Sequence, residues 1–495
     1  MGNREWVSGA RHHRSAAMAI ILIGFALRLT HLLTTSPHVD EYSSIWAAQQ
    51  VLKRGLPILA SGFPYLQGLL FTYLEAPFLA FGFNEALARL VGLLCGVGCL
   101  PLAYILGKKA FSPAAGLLAM AALALEPEAI IWGGRARMYA LQTFMLLLAL
   151  YFLERGQREV EWSDCSKLWL FALAFWGALL SQAAAVFFFP ALVLALLARK
   201  GLRWLLRPAA FPLALAGAGV LAAAALNELG GPVSREAGRP FFAPALGWGE
   251  KSGFFFREFF WEMPHLPWTL LFLAGFALLL ARPQAQKRLA FFYVFFSLSL
   301  LPFIFFVGES WKRPRYLAAL LPVYFLIGAA ALCEGQTLPQ VRKPAGGLFC
   351  WAGLLLALGA IFAFSLPSAW DAAHKFEPGY DAAFRYVRGN WLPGDALAMP
   401  LPAIGGVYLG GCSYYVLQRG YEAYLMPEGV DRWTGAPLLR SARELEEPME
   451  RSRLWFVVDD LRFREGYEPD FIRFVEEHMA LVYHQAEVRV YFSSP

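Results

Sequence analysis

A mainly α-helical, polytopic membrane bundle carrying a small α/β domain at its C-terminal end is what this sequence predicts, and three observations predict it. Of 495 residues, 58% are hydrophobic and only 16% charged, with a mean hydropathy of +0.46. Soluble domains run about 45–50% apolar and about 25% charged, so lipid must be the solvent for most of this chain. Apolar runs of bilayer length recur about eleven times, centred near residues 25, 97, 121, 145, 174, 190, 217, 273, 298, 325 and 356. The charge pattern then changes. From Leu366 to Pro495 there are 13 Lys/Arg and 19 Asp/Glu, whereas the first 365 residues hold 30 basic and 18 acidic groups. This divides the chain into a membrane part, 1–366, and a water-exposed part, 367–495. The net +6 lies in short loops between apolar runs, so it is no footprint for nucleic acid.

The elements follow in order. Arg4, Arg11 and Arg14 precede Ala16–Leu33, a run too long for a signal peptide and lacking a small-residue cleavage site, so it reads as a retained first span. Leu69–Phe83 is apolar but short and carries Glu75 and Pro77, which suits the membrane interface. With the N-terminus cytoplasmic, Lys108–Lys109, Arg155/Arg158, Arg199/Lys200/Arg203/Arg207, Lys287/Arg288 and Arg342/Lys343 all fall inside. An odd number of spans leaves the C-terminal domain outside the cell membrane. In that domain Ala396–Leu401, Leu454–Asp459, Leu481–His484 and Val488–Phe492 look like strands. Ala382–Arg388, Ala442–Met449 and Asp470–His478 carry helical patterns.

Metal chemistry has no signature. Cys95, Cys99 and Cys350 lie in apolar runs, Cys165 and Cys333 near short loops, and Cys412 alone in the C-terminal part. Neither cysteines nor histidines show zinc spacing. The absence of an internal repeat argues against a transporter built from two related halves.

Three outer segments carry chemistry. Pro37-His38-Val39-Asp40-Glu41-Tyr42 places two acids directly after the first span, before a helix whose Tyr42, Ile45, Trp46 and Leu52 share one face. Asp40 is either an N-cap, with Glu41 favoured by the helix dipole, or a base whose partial desolvation raises its basicity. Trp132-Gly133-Gly134-Arg135-Ala136-Arg137 follows Glu126-Pro127-Glu128. Its arginines are either interfacial anchors or ligands for a lipid phosphate, whose geometry guanidinium matches. Trp311-Lys312-Arg313-Pro314-Arg315-Tyr316 sets three cations within four residues, which calls for an anion. Arg28, late in the first span, either snorkels outward or joins this field. Asp459–Asp460 at a strand end reads as a turn or a site.

The order HVDE, FPYLQGLLFTYL, RARMYAL, WKRPRYLAALLP resembles the GT-C membrane glycosyltransferases, closest to the family 39-like enzymes related to protein O-mannosyltransferases and aminoarabinose transferases, over roughly residues 15–330. The resemblance implies a sugar carried on polyprenyl phosphate and an acceptor, protein or glycolipid, on the outer side of the membrane, with inversion. Asp40 and its motif neighbour Glu41 would then stand at the reaction centre. Lys312, Arg315, Tyr316, Arg135, Arg137 and Tyr65 would hold the donor. Many relatives read ARPD where this chain reads ARMY, so Tyr139 replaces an acid, and Glu128 is the candidate to supply it. No cofactor is called for; a divalent cation between Asp40 and Glu128 is the minor alternative. A lipid-linked substrate transporter or flippase is the competing class.

Overall fold

The computed structural model describes residues 2–156, 166–206, 209–229, 253, 256–262, 264–281, 287–305, 307, 312–335, 344–422 and 425–495. The helices are α1 Gly2–Thr34, α2 Val39–Arg54, α3 Leu69–Leu79, α4 Glu85–Ala88, α5 Leu90–Ala110, α6 Pro113–Leu125, α7 Pro127–Gly133, α8 Tyr139–Gly156, α9 Ser166–Ser181, α10 Phe188–Lys200, α11 Leu202–Leu206 and α12 Ala210–Leu229. They continue with α13 Leu266–Ala281, α14 Lys287–Phe305, α15 Leu321–Gly335 and α16 Pro344–Ala373. Most of the stretch 227–266, together with Trp311, Arg158, Arg207, Arg342, Lys343 and Cys165, lies outside the described residues, as do the side chains of the apolar run near 356.

Among the described residues, five helices are long and apolar enough to cross a bilayer: His13–Thr34, Leu90–Ala110, Ala183–Lys200, Lys287–Phe305 and Pro314–Cys333. Four shorter apolar helices accompany them among the described residues: Leu69–Leu79, Ser166–Ser181, Ala210–Ala225 and Leu266–Ala281. The run near residue 121, which the sequence presents as one stretch, is not straight. It breaks into α6 and α7 with a 65° bend. Pro127 has no N–H to continue α6, and the Glu126 side chain accepts the Glu128 N–H to start a new helix. Arg28 sits at this break. It neither snorkels nor faces the outer cations: it is fully buried, donating to the Leu123 and Ala124 carbonyls that α6 leaves unpaired at its C-terminus.

Close approach of backbones sets where the Arg135–Arg137 segment can lie. A Cβ on Gly92 of α5 would run into the Arg135 carbonyl, and one on Gly96 would lie 2.9 Å from the Gly133 Cα. The absence of side chains at these two positions lets that segment pack directly on α5.

Residues beyond 379 build α17 Tyr380–Asn390, α18 Pro402–Leu409, α19 Arg443–Arg451, α20 Asp460–Glu465 and α21 Pro469–His478 around a six-stranded sheet. Its order is β3-β2-β1-β4-β6-β5, with β1 Ala396–Met399, β2 Tyr414–Val416, β3 Leu438–Leu439, β4 Leu454–Asp459, β5 Ala480–Gln485 and β6 Val488–Ser493. β3, β2, β1 and β4 pair in parallel; β6 runs antiparallel to both β4 and β5. All six residues of the central β4 are buried, as its continuous apolar run demands. All four strands read from the sequence are present. Strands β2 and β3, three and two residues long, are too short to show alternation. The Asp459–Asp460 pair is neither a simple turn nor a separate site: Asp459 ends β4 and caps α20 through the Arg462 N–H.

Candidate active site

The segment Pro37–Tyr42 folds differently around its two acids. His38, not Asp40, is the N-cap of α2: its Nδ1 accepts the Asp40 N–H, while Glu41 Oε1 accepts the His38 N–H. That use of the ring nitrogen requires neutral imidazole. Burial, reinforced by Arg135, holds His38 down at about 3. Gly55, in the left-handed region at φ 76°, closes the helix.

Glu41 is fully buried and saturated. Arg89 Nε and Nη2 grip its two oxygens, each at 2.8 Å, and the Ala136 N–H and His38 N–H supply the other two bonds. Arg89 spends its remaining donors on the Leu32, Thr35 and Ser36 carbonyls. The pair therefore knots the end of α1, the start of α2, the start of α5 and the Arg135–Arg137 segment. Burial alone would raise the Glu41 carboxyl; Arg89, Arg135 and the Ala136 amide overcome it and set it at about 2. The expected catalytic use of Glu41 is corrected accordingly, since none of its acceptor sites is left for substrate.

Removing one partner of a buried pair strands the other charge. Glu41→Gln is expected to lower stability by about 3–5 kcal/mol, read as a fall in the unfolding midpoint in detergent at pH 7. The sign with pH follows from the lowered carboxyl. The contribution is complete above the unfolded glutamate range, near pH 4.3, and is lost as pH falls through about 2. The variant should therefore lose its disadvantage only in strong acid.

Asp40, one residue earlier, is about one-third exposed, and its Oδ2 accepts Arg315 Nη1 at 2.7 Å. Burial would raise this carboxyl, but Arg137 and Arg315 outweigh it and hold it below the usual carboxylate range. The expectation that desolvation raises its basicity is thus reversed, because two guanidiniums lie closer than any apolar surface can offset.

Arg315 lies in the turn Pro314–Leu320, over the rings of Trp132, Tyr139 and Tyr316 at 5.8, 5.9 and 5.7 Å. Trp132 is fixed by its Nε1–H, donated to Glu128 Oε2 at 2.6 Å, and its ring also faces the Arg135 guanidinium at 4.8 Å. Glu128 thus meets Trp132 rather than Asp40. It borders a small cavity of about 20 Å³ lined also by Arg28, Cys99, Trp132, Tyr139 and Thr143. Tyr139 presents a ring face to Arg137 and Arg315. Among the described residues no three His, Cys, Asp or Glu converge as metal ligands.

The remaining predicted residues divide. Arg137 Nη1 donates to the Asp40 carbonyl, Ser44 Oγ and the Tyr65 hydroxyl at 3.2, 3.0 and 3.1 Å, so Arg137 and Tyr65 stand together at the Asp40 turn. Arg135 is ion-paired to Glu377 beyond α16, which makes it a tie to the C-terminal part as well as a site cation. Lys312 and Tyr316 are buried beside Arg315 in sequence, with the Tyr316 ring 6.1 Å from that of Tyr139. Arg135, Arg137 and Arg315 share one further trait: each has a buried Nε without a hydrogen-bond partner among the described residues.

The sequence reading passed over Arg89, Glu377 and the Glu126–His265 pair, buried and 2.9 Å apart. A lone arginine before an apolar run is a signal that could have flagged Arg89, because a buried charge needs a partner. Glu377 and His265 join residues 242 and 139 positions away, and nothing local announces such pairings.

Residues 67–226 match the family described as dolichyl-phosphate-mannose-protein mannosyltransferase. The whole chain superposes on ArnT from Cupriavidus metallidurans in the apo state with a TM-score of 0.66 at 13% identity, covering 100% of both chains. The chain has the GT-C fold. The ArnT structure bound to undecaprenyl phosphate shares this GT-C architecture, with a TM-score of 0.65 at 14% identity over 97% of this chain and 98% of that one. So does the oligosaccharyltransferase AglB from Archaeoglobus fulgidus, in complex with an inhibitory peptide and a dolichol-phosphate, with 0.55 at 13% over 97% and 74%. No curated protein matches the chain.

Proposed function

We propose that this protein is a membrane glycosyltransferase that moves a sugar from polyprenyl phosphate to a hydroxyl or amine acceptor on the outer side of the cell membrane. One observation carries the reading. Two guanidiniums, Arg137 and Arg315, each with a buried Nε that has no hydrogen-bond partner among the described residues, stand at the partly exposed carboxylate of Asp40. Guanidinium donors and a phosphate are matched in charge and geometry. Two of the structures sharing the fold hold undecaprenyl phosphate and dolichol-phosphate, which supports the same donor class here. A flippase would need charges along a path through the bilayer; these charges gather at the outer segments of the sequence.

In the proposed reaction the acceptor oxygen or nitrogen attacks the anomeric carbon from the face opposite the phosphate and forms the glycosidic bond with inversion. The acceptor proton passes to the Asp40 carboxylate. The carbon–oxygen bond to phosphate breaks with its electron pair on the phosphate, which leaves on its lipid held by Arg315, Arg137 and Lys312. Polyprenyl phosphate is a good leaving group, so alignment and charge neutralisation carry most of the catalysis. Arg315 links the two tasks. While no donor is bound it holds Asp40 in an ion pair that lowers its basicity. A phosphate that draws Arg315 away returns basicity to Asp40 at the moment it is needed.

On this reading residues 1–366 hold the catalytic machinery, the N-terminus is cytoplasmic and residues 367–495 lie outside. Purified protein incubated with a panel of radiolabelled polyprenyl-phosphate sugars should release free polyprenyl phosphate and bind undecaprenyl phosphate. Failure to bind undecaprenyl phosphate would exclude the donor class.

A further inference from the structure

The loop Leu425–Pro437 between β2 and β3 reaches back from the C-terminal domain to the first outer segment. Asp431, 1% exposed, shapes its tip. One of its carboxylate oxygens accepts the Trp433 and Thr434 N–H groups; the other accepts the Thr434 hydroxyl and the Ala436 N–H. Two backbone carbonyls of the tip are gripped by the membrane part. Trp46 Nε1 donates to Trp433 O at 2.9 Å, and the Ser61 hydroxyl donates to Arg432 O. The tip is thus docked through its backbone, which leaves the Trp433 ring for another task.

That ring packs on Tyr65, with centroids 6.0 Å apart and planes at 53°, and Arg432 covers its other neighbours, lying over Phe63 and over Trp433 itself. Tyr65 is 2% exposed, and its hydroxyl accepts from Arg137, the guanidinium that also holds the Asp40 carbonyl and Ser44. A continuous line of contacts therefore runs from the C-terminal domain into the site: Trp433 ring, Tyr65 ring, Tyr65 hydroxyl, Arg137, Asp40 turn. The Asp40 carbonyl, Ser44 Oγ and the Tyr65 hydroxyl hold Arg137 Nη1 between them, so the placement of these oxygens sets the direction of the guanidinium.

We propose that Trp433 is a positioning residue of the active site: by fixing the Tyr65 ring it aims Arg137 at the donor phosphate, so the C-terminal domain completes the donor site instead of only covering it. This rests on the donor reading above. Ring replacement should leave the domain docked, because both carbonyl contacts are made by the backbone.

A double-mutant cycle on the full-length protein tests the coupling. Trp433→Leu is expected to lower kcat/KM for the polyprenyl-phosphate sugar roughly tenfold, chiefly through donor KM, with the unfolding midpoint little changed. Trp433→Phe should recover most of the loss. Tyr65→Phe should be impaired to a similar degree, and Trp433→Leu added to Tyr65→Phe should cost little more. Losses that multiply, or wild-type donor KM in Trp433→Leu, would overturn the proposal. If Trp433→Leu fails to fold, Trp433→Met, of closer volume, enters the same cycle. Should wild-type protein transfer no sugar, the donor reading fails instead, and amide hydrogen exchange across residues 135–139 then decides. Exchange there faster in both single variants, and no faster in the double, supports the positioning role; unchanged exchange refutes it.

Discussion

Asp40→Asn is expected to lower kcat by about 10²–10⁴-fold, the usual worth of a positioned general base, while the affinity for undecaprenyl phosphate holds or rises. The two effects separate because Asp40 plays two parts in the donor-free site. It is the partly exposed carboxylate available to take a proton, and it is the ion-pair partner that occupies Arg315. Neutralising it removes the base and frees the cation together. Steady-state transfer and direct binding of undecaprenyl phosphate, measured on the same preparation, check both halves. A variant that still transfers sugar at near wild-type rate would remove Asp40 as the base. One that loses donor affinity would show that the phosphate does not use Arg315.

Arg315→Gln is expected to act in the opposite sense on binding and to move the pH profile. Losing charged hydrogen bonds to a phosphate costs about 1.5–3 kcal/mol, or roughly 10- to 100-fold in donor affinity. The acid limb of kcat/KM should also shift. In the wild type Arg137 and Arg315 keep the Asp40 carboxyl below its usual range, so the carboxylate persists to low pH and the acid limb lies below about pH 4. Without Arg315 the ionised form loses a stabilising neighbour, the carboxyl rises, and activity falls away at a higher pH than in the wild type. Assays of both proteins from pH 3.5 to 7 decide this. Coincident acid limbs would mean that the ion pair does not govern Asp40.

How much of this was legible can be judged residue by residue. The strands of the C-terminal domain were readable because β4, β5 and β6 are six residues each, long enough for their patterns to show. Outer loops were readable as chemical because lipid-spanning segments exclude charge, so charges that persist between them stand out. The break at Glu126 was not legible, since composition alone treats a proline within an apolar run as part of the run. The tie of Arg135 to Glu377 and the reach of Trp433 to Tyr65 were not legible either, because such pairings are set by packing and leave no periodic trace.

The neighbouring acids Asp40 and Glu41 mark the boundary most clearly. Composition, charge distribution and the order of short motifs determine by themselves that this is a membrane-embedded chain with a polar appendage and with acids and cations in the segments between its apolar runs. Which acid is available for chemistry belongs to the tertiary structure alone. Successive residues of an α-helix point about 100° apart, so the first turn of α2 sends Glu41 inward to Arg89 and Asp40 toward Arg315. One carboxylate is used up holding four segments together; the other is left facing the cations. Adjacent letters in a sequence carry no sign of that divergence, because it is created by what the fold brings to each side of the helix.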